Sequence, residues 1–418
     1  MQSPTLDFNR LEVLSLLGRG AKGVVFLVKD KEDDKLLALK VILREAIEKK
    51  KKTTKNDEYK RVSFEQEVLR SFDHPLFPCL HGVISTDKVI GYAIDYCPGK
   101  NLNSLRLMQS ESMFSDEIIR FYAAELVLAF EYLHNQGIVY RDLKPDNVMI
   151  QENGHLMLVD FDLSTNLPPR TPSPSQSRAT TPSPKRKKRL FRFASFCSSG
   201  ISPEEESNSM RLSSSSTLAV SDSSGGEKSN SFVGTEEYVA PEVITGRGHD
   251  FAVDWWSLGV VLYEMLYGMT PFRGANRKET FFRILSKPPN LVGETTSLRD
   301  LIRRLLEKDP NRRISVEEIK GHKFFRGIDW EKVLLVSRPP YIPALDDGDA
   351  KGKDGNTKMD VEDIVQEIFA ARDEREKQND NNSNANSNMK TKGDKGGEWV
   401  KGLNNNYDLE SDNNFFVF

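Results

Sequence analysis

The sequence has few cysteines, three among 418 residues. Their spacings match no metal-binding pattern and offer no disulfide framework of the kind found in secreted domains. We therefore expect the protein to work in a reducing compartment, the cytosol or the nucleus. The three positions are Cys79, Cys97 and Cys197.

Long hydrophobic runs are also missing. The most apolar stretch, Trp255 to Tyr263, is much shorter than the ~18 residues that a membrane-spanning helix needs. The N-terminus, MQSPTLDFNR, has neither the charged start nor the apolar core of a signal peptide. These features predict a soluble intracellular protein.

The chain carries little net charge, −3, because 59 basic residues are balanced by 62 acidic ones. A protein that binds nucleic acid over its whole surface usually has a strong positive excess. The charge balance therefore argues against a nucleic-acid partner. No internal repeat is evident either.

The composition changes along the chain and so predicts its organisation. Residues 164–230 are dominated by Ser, Thr, Pro and Gly, and residues 346–414 are rich in Asn, Asp and Lys. Such segments bury too little apolar surface to offset the loss of backbone entropy on folding. We expect a short lead over residues 1–10, one domain over 11–325 with a disordered insertion at about 164–230, and a tail over 326–418 that ends in FFVF.

A glycine-rich turn lies between two predicted strands near the N-terminus. LEVLSLL predicts the first strand, GRGAKG at Gly18 to Gly23 the turn, and VVFLVKD the second strand. Glycines allow the backbone to approach phosphate oxygens closely. A dinucleotide fold would need a helix beginning at Gly20, but Val24 and Val25 continue a strand. A hairpin over nucleotide phosphates and a plain hairpin turn remain open.

Lys40 lies within the apolar strand LLALKVI, where a lysine is rarely buried unless it is paired. Beside a glycine hairpin, such a lysine favours the binding of nucleotide phosphates. The following segment, Val62 to Phe72, has helical spacing and offers Glu65 and Glu67 as partners. Glu65 lies on the apolar face of that helix, so we predict the pair Lys40–Glu65.

The stretch from Tyr140 to Asp162 is the most informative in the chain. YRDLKPDNVMI, followed by LMLVDFD, places four carboxylates and an amide between apolar strands that would hold them rigidly. Together with the glycine turn and Lys40, this set resembles the eukaryotic protein kinase signature. The resemblance covers residues 11–325. It implies an α+β bilobal protein kinase fold, with a small β-rich N-terminal lobe and a larger helical C-terminal lobe.

The resemblance implies how ATP would be bound. Lys40, held by Glu65, would contact the α- and β-phosphates. The backbone of the hinge from Ile94 to Cys97, which includes Asp95, would bind adenine. The segment that would cover the phosphates comprises Leu17, Gly18, Arg19, Gly20, Ala21, Lys22, Gly23, Val24 and Val25.

The same resemblance implies the catalytic roles. Asp142 would accept the proton of the substrate hydroxyl, and Lys144 would contact the γ-phosphate. Asn147 and Asp160 would hold Mg2+. Transfer of a phosphoryl group requires mostly charge neutralisation and in-line positioning, which cations and an oriented base can supply.

The end of an activation segment is recognisable in GTEEYVAPE, from Gly234 to Glu242. Thr235 and the sequence LKPDN favour Ser or Thr over Tyr as the acceptor in protein substrates. The resemblance further implies that Arg313 pairs with a buried Glu242, because an unpaired buried charge would be strongly destabilising.

Several features resemble the AGC group of kinases in particular. Tyr140 stands where most kinases have His, and the chain ends in Phe415 and Phe418 beyond a tail that contains RPPYIP. DFD, in which Asp162 replaces a glycine, and the long insertion are similar to the plant group VIII AGC kinases. The total length and the terminal FFVF are similar to the oxidative-signal-inducible kinase branch.

Two departures from the family pattern bear on activity. Asp162 replaces a glycine whose freedom at positive φ normally lets the segment flip, and this motivates an alternative: a pseudokinase or scaffold that binds nucleotide without turnover. Asn101 stands where AGC kinases usually carry an acid that binds a substrate arginine. Asp146 and Glu264 match other acidic positions and keep a preference for basic substrates open.

Two regulatory elements are predicted from the resemblance. Ser231 matches the activation-loop phosphosite, and its phosphate would face Arg141. Phosphorylation by an upstream 3-phosphoinositide-dependent protein kinase is expected. The terminal segment from Phe415 to Phe418 would dock on that kinase, with the groove of the chain's own small lobe as the alternative.

The predicted insertion contains a basic run, KRKKRLFRF, from Lys185 to Phe193. Its interleaved aromatic residues favour contact with an anionic membrane through Lys185 to Arg192. A nuclear import signal and a solvated charge run remain open. We expect a monomer in the cytoplasm, with the nucleus and the periphery of the plasma membrane as alternative locations.

Overall fold

The protein was examined as a computed structural model, which describes residues 5–20, 23–48, 52–167, 234–336, 339–343 and 365. The chain divides into two units by its internal contacts, and every described residue belongs to the unit that joins Met1–Pro169 to Glu227–Phe418. The other unit, Arg170–Gly226, lies outside the described residues.

The small lobe is built on an antiparallel sheet of five strands in the order β1-β2-β3-β5-β4. Short connections join neighbouring strands β1, β2 and β3, as expected for hairpins with alternating apolar residues. The strands are β1 Leu11–Arg19, β2 Gly23–Asp30, β3 Leu36–Leu43, β4 Leu80–Ser85 and β5 Val89–Asp95.

The register of this sheet places its residues on two distinct faces. Val25, Lys40 and Tyr92 are partners across three strands and therefore share one face. The helices α1 (Arg44–Glu48) and α2 (Lys52–Ser71) follow β3. Glu65 on α2 reaches Lys40, so α2 packs on the face that carries this lysine.

The large lobe is mainly helical, with one continuous apolar core. Its α-helices are α3 Leu102–Leu107, α4 Asp116–Asn135, α5 Pro241–Thr245, α6 Ala252–Tyr267, α7 Arg277–Ser286, α8 Ser297–Leu305 and α9 Val316–Lys320. Its strands are β6 Ile138–Val139, β7 Val148–Ile150, β8 Leu156–Leu158 and β9 Thr165–Asn166. Short 3-10 turns lie at Phe8–Arg10, Ser110–Ser112, Pro145–Asn147, Lys323–Phe325 and Val333–Leu335.

Two helices form the centre of the large lobe. Helix α6 is apolar on nearly every side and is buried along most of its length, which is the pattern expected of a core helix. Helix α4 packs against it and begins with Asp116 and Glu117, whose charges favour the positive end of the helix dipole. The β7–β8 hairpin lies beside this core, and its ends carry the residues of the candidate active site.

The start of the insertion differs from the prediction. We expected disorder from residue 164, but Thr165–Asn166 form β9 and pair with Ile138–Val139 of β6. The backbone N–H of Leu167 also donates to the carbonyl of Gly137, at 2.7 Å. The fold therefore extends at least to residue 167, because this short strand ties the chain to the segment before the catalytic loop.

Part of the C-terminal tail packs on the large lobe. Pro343 contacts the backbone at Gly99, where an added Cβ would lie 2.6 Å from the proline ring. At Gly154, φ is +84° and a Cβ would overlap the carbonyl oxygen of Tyr341. The part of the tail motif that the structure describes, residues 339–343, thus lies against Gly99, just after the hinge, and against the β7–β8 turn. Among the described residues, no helix is long and apolar enough to cross a membrane.

Candidate active site

The glycine-rich segment forms a hairpin turn and not the start of a helix. Gly18 pairs with Val25 across β1 and β2, and the N–H of Gly20 donates to the carbonyl of Gly23 at 2.8 Å. A Cβ at Gly23 would lie 2.6 Å from the carbonyl oxygen of Val41, so only glycine fits there. This geometry excludes the dinucleotide-binding interpretation. Ala21 and Lys22 lie outside the described residues.

Lys40 lies between two carboxylates. Its Nζ is 3.0 Å from Oε1 of Glu65 and 3.1 Å from Oδ1 of Asp160. The predicted pair Lys40–Glu65 is therefore present, and β3, α2 and the segment after β8 meet at one ammonium group. The N–H of Phe161 also donates to Oε1 of Glu65, at 3.2 Å, which fixes the segment after Asp160 against α2.

The electrostatics of this cluster keep Lys40 charged. Burial by itself lowers the pKa of Lys40, but the carboxylates of Asp160 and Glu65 outweigh it and hold the pKa well above its ordinary value. A permanently charged ammonium group in a buried position is suited to binding phosphate oxygens. Its two carboxylate partners position it for that contact.

The predicted base lies in a second, adjacent cluster. Oδ2 of Asp142 accepts from Nζ of Lys144 at 3.1 Å and from Nδ2 of Asn147 at 3.1 Å. Nδ2 of Asn147 also donates to the backbone carbonyl of Asp142 at 2.9 Å. These contacts hold the carboxylate and the ammonium group in fixed positions. The turn Pro145–Asn147 and strand β7 follow directly and make the loop rigid.

Thr235 completes the cluster from the activation segment. Its hydroxyl donates to Oδ1 of Asp142 at 2.9 Å and lies 3.4 Å from Nζ of Lys144. Burial raises the pKa of Asp142, and the negative charge of Asp160 raises it further. Lys144 and the hydrogen bond from Thr235 lower the pKa, but the net shift is upward. A raised pKa brings a carboxylate closer to the range in which it is an effective general base.

The oxygens near Asp142 suit a magnesium ion. Oδ1 of Asn147 is buried and has no hydrogen-bond partner among the described residues, although its amide nitrogen has two. Mg2+ prefers oxygen ligands and is usually held by one or two protein groups together with substrate phosphates. Asn147 and Asp160 fit this pattern. Within the described ranges, no cluster of three or more His, Cys, Asp or Glu residues offers a different metal site.

The predicted hinge connects the two lobes at the end of β5. The carboxylate of Asp95 accepts from the N–H of Cys79 at 2.8 Å, contacts His81 at 2.8 Å and pairs with Lys35 at 3.0 Å. Burial acts to raise the pKa of Asp95, but these three donors outweigh it and hold the pKa well below its usual range. The side chain of Asp95 is thus engaged within the small lobe.

Cys97 contributes an apolar surface at the hinge. Its thiol is buried and lies 3.5 Å from the sulfur of Met157, in a cluster with Val159 and Met149. Burial raises the pKa of Cys97 far above its ordinary value, so it remains a neutral thiol. These residues form an apolar surface next to the hinge, and such a surface suits contact with a purine ring.

Tyr140, which stands in place of the usual histidine, joins the catalytic loop to the segment around Asp160. Its hydroxyl donates to the carbonyl of Val159 at 2.5 Å. Its ring packs edge-on against Phe161, at 5.4 Å between centroids. The N–H of Tyr140 donates to Asp254 on α6 at 2.9 Å. The tyrosine therefore has a structural role in holding the two acidic motifs together.

The substitution of Asp162 for glycine does not strain the backbone. Asp162 is not among the residues with positive φ, whereas Asp160 (+59°) and Arg141 (+71°) are. The glycine freedom that the family pattern suggested at this position is thus not used in this conformation.

Other predicted positions have structural contacts. Arg313 forms a buried pair with Glu242, at 2.6 and 3.0 Å, as predicted. The side chain of Asn101 accepts from the N–H of Ser104 at 2.8 Å and so caps α3, which gives it a role other than substrate binding. Glu264 accepts from the hydroxyl of Tyr238 at 2.6 Å.

Arg141 forms a basic pocket with Arg61 beside the activation segment, because an added Cβ at Gly234 would lie 3.1 Å from the carbonyl oxygen of Arg141. Its Nε donates to the carbonyl of Leu163 at 2.6 Å, and its Nη1 is 3.4 Å from Nε2 of His249. Burial lowers the pKa of Arg141 to about 10, with Asp254 acting to raise it and the nearby Arg61 to lower it. Sequence reasoning missed Arg61 and His249, which are distant from Arg141 in the sequence.

The predicted regulatory residues cannot be compared with the structure. Ser231, Phe415, Phe418 and the run Lys185–Arg192 lie outside the described residues.

The geometry of these clusters agrees with comparisons to known proteins. Residues 11–183 and 216–325 match the protein kinase domain. This chain belongs to the protein kinase family. The gap between the two matched ranges lies within the predicted insertion at about 164–230. The predictions of a protein kinase and of a bilobal α+β kinase fold are confirmed.

Curated relatives narrow the grouping within that family. The chain is 82% identical to the serine/threonine-protein kinase OXI1 of Arabidopsis thaliana over 420 residues, which covers 100% of this chain and 98% of the relative. It is 44% identical over 358 residues to the serine/threonine-protein kinase UCN of the same plant, covering 83% of this chain and 87% of the relative. It is 36% identical over 391 residues to the serine/threonine-protein kinase AGC1-5, also from Arabidopsis thaliana, covering 85% of this chain and 64% of the relative. These relatives confirm the predicted AGC group and offer no support for a pseudokinase.

Proposed function

We propose that this protein kinase transfers the γ-phosphate of ATP to Ser or Thr hydroxyls of protein substrates, with Asp142 as the general base. The observation that carries the proposal is the hydrogen bond between the hydroxyl of Thr235 and Asp142, 2.9 Å long. It demonstrates that an aliphatic alcohol fits at hydrogen-bonding distance from this carboxylate. A substrate hydroxyl would bond to the same carboxylate beside Lys144, while Thr235 holds that carboxylate in place.

The residues around Asp142 would bind and position ATP, magnesium and the acceptor hydroxyl. Lys40 would neutralise the α- and β-phosphates, and Lys144 would neutralise charge on the transferred group. Asn147 and Asp160 would hold magnesium, which when bound shields the charge of the phosphates. Asp142 would orient the acceptor hydroxyl and accept its proton. The hinge backbone between Ile94 and Cys97 would position the adenine, so that the reacting groups are fixed before transfer.

The acceptor class follows from the activation segment and the relatives. Thr235 and the sequence LKPDN favour Ser and Thr, and the relatives OXI1, UCN and AGC1-5 are named serine/threonine kinases. Labelling of a mixed protein substrate with γ-labelled ATP, followed by phosphoamino-acid analysis, tests this assignment. We expect phosphoserine and phosphothreonine. Phosphotyrosine as the main product would refute the acceptor class without refuting kinase activity.

Regulation by phosphorylation at Ser231 is the second part of the proposal. The basic pocket of Arg141 and Arg61 lies beside the segment that begins again at Gly234, three positions after Ser231. A phosphate on Ser231 would place negative charge next to this pocket and order the activation segment through charge-assisted hydrogen bonds. The phosphorylating enzyme would be an upstream 3-phosphoinositide-dependent protein kinase.

The terminal FFVF would recruit that upstream kinase. The four residues contain no acidic or phosphorylatable side chain, which favours docking of Phe415 and Phe418 on a partner over docking in the chain's own small lobe. The run Lys185–Arg192 would contact an anionic membrane, and phosphorylation of the neighbouring TPSP sequences would weaken that contact. The proposed location is cytoplasmic, with nuclear import as the alternative use of the basic run. We propose a monomer.

A further inference from the structure

One helix of the large lobe presents an aromatic side chain to solvent. Phe282 on α7 is 58% exposed, and it is the only exposed phenylalanine, tyrosine or tryptophan among the residues that the structure describes. Leu285 on the same helix is 41% exposed. Apolar side chains that lie together at a surface often mark a site where another molecule binds.

The helical spacing places these two side chains on one stripe with a lysine. Residues three and four positions apart are neighbours on a helix, so Lys278, Phe282 and Leu285 lie side by side along α7. The opposite side of the helix carries Thr280 and Ile284, which are buried and attach α7 to the large lobe. The exposed stripe is therefore held in place by the packing behind it.

This surface is basic as well as apolar. Nζ of Lys287 lies 5.9 Å from the centre of the Phe282 ring, so a second ammonium group flanks the aromatic side chain. Lys278 and Lys287 are both exposed. The one acidic residue of the helix, Glu279, accepts from Nη2 of Arg283 at 2.6 Å. We call Lys278, Phe282, Leu285 and Lys287 the α7 face.

Ion pairs connect α7 and the loop before it to the activation segment. Nε of Arg277 lies 3.2 Å from Oε1 of Glu236, and Nε of Arg273 lies 3.6 Å from Oε1 of Glu237. The two glutamates directly follow Thr235, which bonds to the proposed general base. The α7 face thus lies on an element that is joined to the segment beside the acceptor site. A protein bound at that site would be close enough to contact α7 as well.

The charge of the α7 face determines which kind of partner fits it. A second copy of the chain bound through the same face would bring Lys278 and Lys287 against identical lysines, and like charges oppose such contact. An acidic segment with apolar side chains would instead pair its carboxylates with the lysines and cover Phe282 and Leu285. One face of a short helix offers a small contact area, which suits transient binding of a substrate.

We propose that the α7 face docks an acidic segment with apolar anchors in protein substrates, apart from the residue that is phosphorylated. Docking holds the substrate near the active site and raises the local concentration of its acceptor hydroxyl. Because the docking segment is separate from the acceptor, the α7 face should affect KM and leave kcat unchanged. The inference rests on the proposed function, since it requires transfer to protein hydroxyls.

Binding measured without ATP tests the docking surface apart from catalysis. The probe is a fluorescent amphipathic peptide of about 14 residues, with leucine at helical spacing and glutamate between, added to the full-length chain. Phe282→Asp should weaken its binding by roughly tenfold or more, as should Lys278→Glu combined with Lys287→Glu. Leu335→Asp changes a leucine that is 75% exposed outside α7 and should leave binding unchanged.

Other outcomes of this measurement contradict the proposal. Wild-type affinity in Phe282→Asp, or no binding of the peptide by the wild type, would exclude docking at the α7 face. Equal loss in Leu335→Asp would show non-specific adsorption. Equal binding of a peptide with lysine in place of every glutamate would show that the partner is not acidic. Phe282→Ala removes the ring without adding a charge and should also weaken binding, while thermal unfolding stays as in the wild type.

Steady-state kinetics connect the docking surface to phosphoryl transfer. The probes are dephosphorylated β-casein, an acidic protein with apolar segments, and a short serine peptide cut from it. Phe282→Asp should raise KM for β-casein by roughly fivefold and leave kcat and the kinetics on the peptide unchanged. An unchanged KM for β-casein, or equal losses on both probes, would refute docking alone. Absence of transfer to both probes by the wild type would instead count against the proposed function, and the docking of substrates would fail with it.

Discussion

The hydroxyl of Thr235 donates a 2.9 Å hydrogen bond to Oδ1 of Asp142, although the activation segment and the catalytic loop are separated by the whole insertion. The same carboxylate accepts from Lys144 and Asn147 through its other oxygen. Thr235 therefore helps to set both the orientation of the base and its affinity for a proton. It is a positioning residue, since it acts on substrate through Asp142.

Removing the hydroxyl of Thr235 should impair phosphoryl transfer. We expect Thr235→Ala to lower kcat by roughly tenfold, because a hydrogen bond to a charged group contributes about 1.5–3 kcal/mol. Thr235→Ser keeps the hydroxyl and should retain most of the activity. Steady-state kinetics on one protein substrate measure both variants. Equal loss in Thr235→Ala and Thr235→Ser would show that the methyl group, and not the hydrogen bond, matters.

The pH dependence of kcat/KM should report the ionisation of Asp142. Asp142 must be deprotonated to accept a proton, and burial raises its pKa, so activity should fall on acidification at a pH above the ordinary ~3.9 of an aspartate. Thr235 lowers this pKa, so Thr235→Ala should move the acidic limb to higher pH, whereas Thr235→Ser should not. An acidic limb that is identical in all three proteins would contradict the assignment of Asp142 as the base.

Phosphorylation of Ser231 should be required for full activity. Ser231→Ala should lower the activity of protein treated with the upstream kinase by roughly tenfold or more, because the phosphate orders the activation segment. Ser229→Ala, two positions earlier in the same serine-rich sequence, is the matched control and should have no effect. Unchanged turnover in Ser231→Ala, or an equal loss in Ser229→Ala, would refute the site.

The basic pocket should be coupled to that phosphate. Arg61→Ala and Ser231→Ala should each reduce activity, and the double variant should be no worse than Ser231→Ala, because both remove the same interaction. Arg61 is chosen for this double-mutant cycle because it lies close to Arg141. If the losses of activity from the two single variants add in the double variant, Arg61 does not act through the phosphate on Ser231.

The terminal segment should determine binding of the upstream kinase. Phe415→Ala combined with Phe418→Ala should weaken that binding by roughly 30-fold, as expected for buried aromatic anchors. Phe416→Ala removes a neighbouring phenylalanine that lies outside the FxxF spacing and serves as control. Binding to the surface-immobilised upstream kinase is measured for both variants and for the wild type. Normal affinity of the double variant would exclude docking through Phe415 and Phe418.

The sequence predicted the parts of the fold in which one interaction dominates. Lys40 in an apolar strand needed a carboxylate, and the face of the next helix selected Glu65 over Glu67; the structure has this pair at 3.0 Å. The buried pair of Glu242 and Arg313, which the family resemblance implied, is also present. Such contacts were accessible because the family motifs fix both partners.

Contacts that depend on the path of the chain could not be predicted in this way. Thr235 meets Asp142 only because the chain returns to the catalytic loop after the insertion. Thr165–Asn166 were assigned to the insertion because their composition is polar, yet pairing with β6 satisfies their backbone groups. Asp162 was expected to restrict a segment in which glycine can flip, but the sequence did not give its dihedral angle, and its φ is not positive. Composition and motifs do not report backbone pairing or dihedral angles.

A paired measurement of ATP binding and phosphoryl transfer tests the catalytic assignment most directly. Asp142→Asn keeps the size of the side chain and leaves the pair of Lys40 and Glu65 intact, so MgATP should bind with an affinity within about twofold of the wild type. Transfer from γ-labelled ATP to a protein hydroxyl should fall by roughly 10²- to 10⁴-fold, the usual contribution of a general base. Transfer by Asp142→Asn at the wild-type rate would contradict the account.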